Sequence, residues 1–350
     1  MSSFTIISLK RLIHHKQAIF AGSILFFLYL LAIFAEFFAP YPLIWGERDK
    51  AYHPPIKVHI FEKQSFCQPF IYELQLIQTE NYEKKWYEDK AVRYPIKLFI
   101  KGEDERIHLF GTDKPSSFFV LGSDWNGRDI LSRLIYGGRI SLSIGIIGVF
   151  LSFSLGMFVG GIAGYFGGRI DTVIMRLLEL IMSFPAFYLI LSLRAVFPIS
   201  LSSVQVYLMI VIIMSLIGWG GVARVIRGMV LSLREMEFVL AQKALGASSF
   251  RIITQDILPN TISYALVSAS LSIPDYILGE SVLSLLGLGI NEPQSSWGNM
   301  LARAMDISTL SSYPWILAPG FAIFITVICF NLLSDGLRDC FDPKSFVGKL

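Results

Sequence analysis

Three long intervals of this 350-residue chain contain no charged side chain. They lie between Arg139 and Arg169, between Arg194 and Arg224, and between Asp306 and Asp335. Each is longer than the roughly 20 apolar residues with which a helix crosses a hydrocarbon core of about 30 Å. The pattern therefore predicts an all-α membrane protein.

Weaker apolar segments complete the pattern. We predict six transmembrane helices, at residues 18–39, 140–165, 172–196, 205–227, 260–286 and 314–336. Arg176, Glu179 and Pro185 interrupt the third, and Pro274 should kink the fifth. The first has a longer apolar run than the roughly 7–15 residues of a cleavable signal, so we expect it to be retained.

The distribution of Lys and Arg predicts the orientation, because short cytoplasmic loops carry the excess of basic residues. The N-terminal tail, the turn at Arg169, the 227–251 loop and the C-terminal tail are basic and fall on one side, so both termini are predicted to be cytoplasmic. The chain then divides into an N-terminus with the first helix (1–40), an extracytoplasmic insertion (41–119) and a five-helix core (120–350) with a cytoplasmic loop at 228–259. Alternation near Tyr94–Ile100 predicts strands in the insertion.

A small residue recurs at every fourth position of the second helix. In lipid, helices associate through close backbone approach across such faces, which favours a packing stripe. The alternative is that glycine is simply common in membrane helices. The stripe consists of Gly148, Ser152, Gly156, Gly160, Gly164 and Gly168.

The segment 121–142 is rich in charge just before the second helix. Ser123 and Asp124 are predicted to cap a short helix, whose polar face carries Arg128, Asp129 and Arg133. Trp125 and Tyr136 would anchor this helix at the membrane interface. The predicted role is structural.

The polar stretch 235–249 predicts a short helix parallel to the membrane. Its spacing places several small or apolar residues on one face, where a partner could approach closely; a solvated connector fits the periodicity equally well. Gly246 allows a turn that other residues resist, and Pro259 can begin the next helix. The shared face comprises Glu237, Ala241, Ala244, Leu245 and Ser248.

Ionisable residues within membrane segments are functional candidates. Arg194, Asp275 and Glu280 are candidates for the pathway or for an intramembrane ion pair. Arg194 and Glu280 reach similar depths, so a structural pair between them is favoured over a proton relay.

Several catalytic motifs do not occur in the sequence. There is no G-x-x-x-x-G-K-[ST] phosphate loop, no H-E-x-x-H and no G-x-S-x-G. We therefore expect no catalytic residue and no metal site, and no cofactor bound by this chain. The net charge of +3 is spread along helix ends, which does not indicate a nucleic-acid partner.

Four blocks of sequence, in order, resemble the inner-membrane permease subunits of bacterial ABC importers for dipeptides, oligopeptides and nickel, specifically the C-type subunit. The resemblance covers roughly residues 115–345 and, by position, the first helix. Its blocks are Leu121–Leu142, Gly164–Asp171 continuing to Pro185, Val239–Asn260, and a C-terminal set with Leu283–Gly289, Ser296–Asn299, Ala318–Gly320, Asn331–Asp339 and Asp342–Pro343.

The resemblance implies an ABC type I importer permease fold in the bacterial inner membrane. Within the cytoplasmic 228–259 loop, it identifies residues 237–259 as the element that docks on the ATPase, and we call residues 237–259 the coupling loop. Its docking residues are Glu237, Ala241, Ala244, Leu245, Gly246 and Ala247. Leu240, Gln242 and Asp256 depart from the residues usual in the family. The insertion is longer than in typical members.

The resemblance also implies the partners. These are a homologous B-type permease subunit, two ABC ATPase subunits that bind ATP and Mg, an extracytoplasmic solute-binding protein and the lipid bilayer. Peptide is the expected cargo, with nickel or another small solute as the alternative. A secondary transporter and a membrane-anchored sensor or assembly factor built on the insertion are the rival functions; we find no inverted repeat of the kind typical of the former.

Overall fold

The computed structural model describes residues 12–62, 65–78, 84–102, 104–196, 198 and 201–341. Two compact units divide the chain. The helical unit comprises residues 1–26, 142–283 and 325–350, and the mixed unit comprises residues 27–141 and 284–324.

Twelve α-helices are found in the described residues. Five are long: α1 (Lys16–Ile33), α3 (Ile130–Phe166), α6 (Ser203–Leu233), α9 (Ile262–Leu285) and α12 (Ala318–Phe341). The others are α2 (Ala35–Phe38), α4 (Gly168–Met182), α5 (Ala186–Val196), α7 (Glu237–Ala244), α8 (Ser249–Arg251), α10 (Trp297–Leu301) and α11 (Ile307–Ser312).

Four helical segments of the described chain are long and apolar enough to cross a membrane, namely α1, α3, α6 and Pro314–Phe341. A fifth is obtained if α4 and the first part of α5 form one broken span, bent by 83°. The 24-residue α9 is not among them, because its serines and two acids dilute its apolar sequence.

The third predicted helix is not continuous. The structure breaks it between Met182 and Ala186, next to Pro185, whose ring restricts the preceding residue to extended conformations. The third predicted helix, 172–196, is therefore divided in two, and of its three interrupting residues Pro185 marks the break, whereas Arg176 and Glu179 lie within α4.

The predicted elbow helix after Ser123 is also wrong. Ser123 instead forms an isolated antiparallel bridge with Asp129, and α3 begins at Ile130 and continues without a break to Phe166. Asp129 caps this helix, since its Oδ2 accepts hydrogen bonds from the backbone N and the hydroxyl of Ser132, at 2.7 and 2.6 Å.

Among the described residues between 59 and 111, within the predicted insertion, there are five strands. Antiparallel β1 (His59–Glu62), β2 (Ser65–Gln78) and β3 (Lys84–Pro95) form one sheet in that order, and β4 (Lys97–Lys101) pairs with β5 (Ile107–Gly111). The predicted strand near Tyr94–Ile100 is thus divided at Ile96. The core beneath this sheet consists of Ile56, Ile71, Phe118 and Phe119.

Candidate functional site

The coupling loop is anchored by one side chain of α7. Val239 is fully buried and packs with Ile226 and Val230 of α6 and with Ile252 and Ile257 farther along the same loop. Burial of one aliphatic side chain contributes about 1.5–3 kcal/mol, enough to fix the rotation of a helix of only eight residues. The remaining faces of α7 are therefore held in a defined orientation.

A Schellman motif ends α7 at Gly246. The N–H of Ala247 donates to the carbonyl of Gln242 at 3.1 Å, and the N–H of Gly246 donates to that of Lys243 at 3.0 Å. Gly246 has φ +78°, and a Cβ added there would meet no atom within 4 Å. The glycine is therefore required for its backbone conformation, while the space in front of it is open.

The face predicted to receive a partner is exposed. Glu237, Ala241, Ala244, Leu245 and Ser248 are all exposed, and Leu245 has a relative exposure of 81%. Of the predicted docking residues, only Ala247 turns inward and packs against the Val239 cluster.

Sequence reasoning missed three further exposed apolar side chains of this loop, namely Phe238, Leu240 and Phe250. Their signal was available, because large apolar residues in a loop outside the predicted membrane segments have no lipid to face. They extend the apolar surface beyond the predicted small-residue face.

Basic side chains of the coupling loop and of the end of α6 that leads into it contact the neighbouring helix ends. Arg234 donates from Nη1 to the carbonyls of Gly164 and Tyr165, at 3.1 and 3.4 Å. The ammonium of Lys243 lies 5.1 Å from the ring centre of Tyr165. Arg227 of α6 forms a bidentate pair with Asp171 of α4, with Nε 2.9 Å from Oδ1. Movement of the loop would therefore be transmitted to α3, α4 and α6.

The small-residue stripe of α3 lies against α6. A Cβ added at Gly156 would lie 2.7 Å from Cβ of Val222, at Gly160 2.5 Å from the carbonyl oxygen of Ala223, and at Gly164 2.7 Å from that of Arg227. Gly148 faces the ring of Tyr276 on α9, and Gly168 faces no other group within 4 Å. Three members of the stripe thus share α6 as their neighbour.

The three intramembrane candidates do not form one cluster. Glu280 is completely buried on α9, whereas Asp275, five residues before it, is exposed. Five residues correspond to about 140° of rotation around a helix, so the two acids point to different sides. Arg194 lies on α5, and its side chain is outside the described residues. The Arg194–Glu280 pair stays a prediction.

A cavity of about 380 Å³ opens beside Asp275 within the helical unit. Its walls come from α3, α5, α6 and α9, and most of the lining is apolar. In the described residues, the cavity lining included, no three His, Cys, Asp or Glu side chains come together in a way that could hold a metal ion.

In the mixed unit, two arginines predicted to lie on a polar helix face are instead buried. Arg128 and Arg133 both donate to the carboxylate of Glu292, with Nη2···Oε1 distances of 2.9 and 3.0 Å. Arg128 Nε also donates to Asp124 Oδ2 at 2.8 Å. The two arginine side chains are only 8% and 3% exposed. We call these four residues the ion cluster.

The electrostatics of the ion cluster favour its charged state. Burial alone would raise the pKa of Glu292, but hydrogen bonds from Arg128 and Arg133 hold that pKa below its ordinary value. The sequence could not reveal the pairing, because Glu292 lies more than 150 residues after its partners. The local pattern predicts that charges next to an apolar segment face water, and it therefore misplaces Arg128 and Arg133.

The chain matches known proteins along most of its length. Residues 156–347 match the family model for the binding-protein-dependent transport system inner membrane component. Residues 3–55 match the N-terminal TM domain of oligopeptide transport permease C.

Named relatives agree with these matches. The dipeptide transport system permease protein DppC of Bacillus subtilis is 40% identical over 231 residues, 66% of this chain and 70% of the relative. The oligopeptide transport system permease protein OppC of Haemophilus influenzae is 43% identical over 65% of this chain and 71% of the relative. OppC of Escherichia coli K12 is 41% identical over 64% of this chain and 72% of the relative. The resemblance inferred from the sequence is confirmed: the chain is an inner-membrane, multi-pass transport component that belongs to the family of binding-protein-dependent permeases, as a C-type subunit.

Proposed function

We propose that this chain is the C-type permease subunit of an ATP-driven importer whose cargo is a dipeptide, an oligopeptide or a peptide-like compound. The similar proteins are named as dipeptide and oligopeptide permeases, which supports peptide over nickel or another small solute. The chain would perform no catalysis, and ATP and Mg would bind to the ATPase partners.

The proposed topology has six spans: α1, α3, the broken pair α4–α5, α6, α9 and α12. Both termini and the coupling loop then lie in the cytoplasm, and the 41–119 insertion lies outside, where a solute-binding protein delivers cargo. The basic residues on the coupling-loop side support this orientation. A B-type permease would complete the pathway, as the resemblance implies.

The exposed apolar face of α7 carries the functional proposal. A surface with Leu245 at 81% exposure, held by Val239 and ended by a rigid Schellman turn, is suited to a partner protein. The partner would be an ATPase subunit. Its ATP-driven movement would push the coupling loop and, through Arg234 and the Asp171–Arg227 pair, the helices of the bundle. The bundle would then alternate between outward- and inward-facing states.

The test is ATP hydrolysis by the complete complex in liposomes, with and without peptide-loaded binding protein. An Ala241→Arg chain places a long cation on the docking face in a helical position that tolerates it. A Thr172→Arg chain is the matched control, because Thr172 is exposed on α4 outside the loop.

We expect loaded binding protein to stimulate hydrolysis in the wild-type and Thr172→Arg complexes but not in the Ala241→Arg complex. Hydrolysis that responds equally in all three would refute docking at this face. Uptake that survives ATP depletion and fails when the proton gradient is removed would instead establish the secondary-transporter function.

A further inference from the structure

The cavity beside Asp275 is assembled from four helices of the helical unit. Ser152 and Phe153 come from α3, Phe187 and Ile190 from α5, Met214 and Gly218 from α6. Ser272, Asp275 and Tyr276 come from α9. Its volume of about 380 Å³ lies within the roughly 300–1,000 Å³ of typical small-molecule sites, which are mostly apolar with a few placed polar groups.

Two glycines allow the lining side chains to approach closely. A Cβ added at Gly279 would lie 2.5 Å from Met214 Cε, and one added at Gly218 would collide with the hydroxyl of Tyr276 and lie 2.7 Å from Ser152 Oγ. A larger residue at either position would therefore displace a side chain of the cavity lining. Two glycines on facing helices thus hold the present arrangement of side chains beside the carboxyl group.

Asp275 is the acidic side chain of this lining, and its location is unusual. It lies 13 residues into α9, about 20 Å from the start of that helix, which in the proposed six-span topology is well inside a hydrocarbon core of about 30 Å. In the described part of the chain, no basic side chain forms an ion pair with Asp275. By contrast, two acidic residues near helix ends, Glu36 and Asp171, each pair with an arginine.

An acidic side chain kept in an apolar wall is costly, and such residues face a water-filled cavity and mark the path of a substrate or ion. The neighbouring lining divides in two: Tyr276, Ser152 and Ser272 supply hydroxyl groups, and Phe153, Phe187 and Ile190 supply an apolar wall. A ligand that fits this division carries one positive charge beside an apolar group.

We propose that this cavity binds the primary ammonium group of a cargo peptide, with Asp275 as its counter-ion and the aromatic and aliphatic wall in contact with the adjoining side chain. This inference rests on the proposed function, because the peptide is the proposed cargo. The ammonium is the N-terminal one or that of a lysine side chain, and the two are separated by the transport experiment below.

The first test measures the attraction of the cavity for a cation without requiring transport. An Ile190→Cys chain, with the native Cys67→Ser, is assembled in the complex and labelled with methanethiosulfonate ethylammonium and with a neutral methanethiosulfonate of similar size. The chain without the Ile190 substitution gives the background, since Cys329 and Cys340 are buried. The measured quantity is the ratio of the cationic to the neutral labelling rate.

We expect Asp275→Asn to lower this ratio about tenfold, because a charge in a low-dielectric cleft raises the local concentration of counter-ions by about that factor or more. Asp275→Glu should retain most of it. Glu179→Gln, which removes an exposed acid paired with Arg176 on α4, is the control and should leave the ratio unchanged. An unchanged ratio in the Asp275→Asn chain would overturn the proposal.

The second test compares three peptides delivered by the binding protein in liposomes. They share their apolar side chains: one has a free N-terminus, one lacks the amino group, and one lacks it but contains a lysine. Asp275→Asn should slow uptake of peptides with an ammonium at least several-fold more than uptake of the deaminated peptide. A loss limited to the free N-terminus identifies the N-terminal ammonium, and a loss for both identifies any primary ammonium.

Equal slowing of all three peptides would overturn the proposal, since it would indicate a structural role for Asp275. Failure of the proposed function has a different signature. In that case loaded binding protein would not stimulate ATP hydrolysis by the wild-type complex, whatever the labelling ratio.

Discussion

The coupling loop exposes apolar side chains, whereas the ion cluster buries charged ones. The coupling loop leaves apolar residues such as Leu245 and Phe250 exposed in a segment outside the proposed spans. The ion cluster buries the charges of Arg128 and Arg133, yet satisfies them with Asp124 and Glu292. An exposed apolar face lacks its partner, whereas a buried ion cluster already contains its partners. The exposed apolar face therefore indicates an interface, and the buried ion cluster indicates a rigid contact within the fold.

The largest expected effect comes from the anchor of the coupling loop. Val239→Asp would place an unpaired charge in the cluster of Ile226, Val230, Ile252 and Ile257, at a cost of several kcal/mol. We expect the loop to detach and the complex with the ATPase to be lost, as measured by co-purification.

Leu240→Asp is the matched control, since Leu240 is the next residue and is 48% exposed. The melting temperature of the purified chain should fall for Val239→Asp and stay close to wild type for Leu240→Asp. Equal losses of stability would contradict the assignment of a buried and an exposed face.

The ion cluster should give the next largest effect. Glu292→Ala would leave two buried guanidinium groups with Asp124 as their remaining acidic partner in the cluster. Removing one partner of a buried pair costs about 3–5 kcal/mol, and the partial exposure of Glu292 places the expected loss at about 3 kcal/mol.

Glu179→Ala provides the comparison, because its ion pair with Arg176 is exposed on both sides and such pairs contribute about 0–1 kcal/mol. Thermal unfolding in detergent should separate the two variants. Similar shifts would show that the ion cluster is no more important than a surface pair.

Acid should weaken the mixed unit through His53. Burial holds the pKa of His53 at about 4, below its ordinary value of 6.5, so the folded state favours the neutral ring. The free energy of unfolding is therefore highest above about pH 6.5 and decreases as the pH falls towards 4, because the unfolded chain then binds the proton more readily than the folded chain. At pH 5 the loss is about 2 kcal/mol.

His53→Asn keeps a hydrogen-bond donor but does not titrate in this range. We expect the melting temperature of the wild type to fall more steeply between pH 6.5 and 5 than that of the variant. Parallel curves would exclude a buried neutral histidine.

The smallest effect should arise at the loop turn. Gly246→Ala forces an alanine to adopt φ +78°, at a cost of about 1–2 kcal/mol. Because an added Cβ meets no atom, the loss should come from the backbone alone, and Gly246→Asn should recover part of it. Hydrogen exchange of the α7 amides reports this change locally, and equal protection in the glycine, alanine and asparagine chains would contradict the strain argument.

The sequence predicted features that depend on local patterns. Uncharged intervals located α3, α6 and α12, and the polar island around Gly246 located α7 and its turn. In α3, small residues at every fourth position also predicted close helix packing. The identity of the neighbouring helix, α6, required the structure.

Features that depend on distant pairing could not be predicted. Arg133 and Glu292 are remote in sequence, so the local pattern predicts a polar face for Arg133 and gives no sign of its pairing with Glu292. The bend between α4 and α5 was visible only as a weakness of the apolar pattern around Pro185. The cavity beside Asp275 needs four helices at once, and no single segment encodes it.

The most direct measurement of the central claim is the labelling rate of a cysteine on the exposed face of the coupling loop, with and without the ATPase subunits. A Leu245→Cys chain and a Thr172→Cys control, both in membranes, would be exposed to the same thiol reagent. We predict that the ATPase slows labelling at position 245 more than tenfold and leaves position 172 unaffected. An equal labelling rate at position 245 with and without the ATPase subunits would contradict the account.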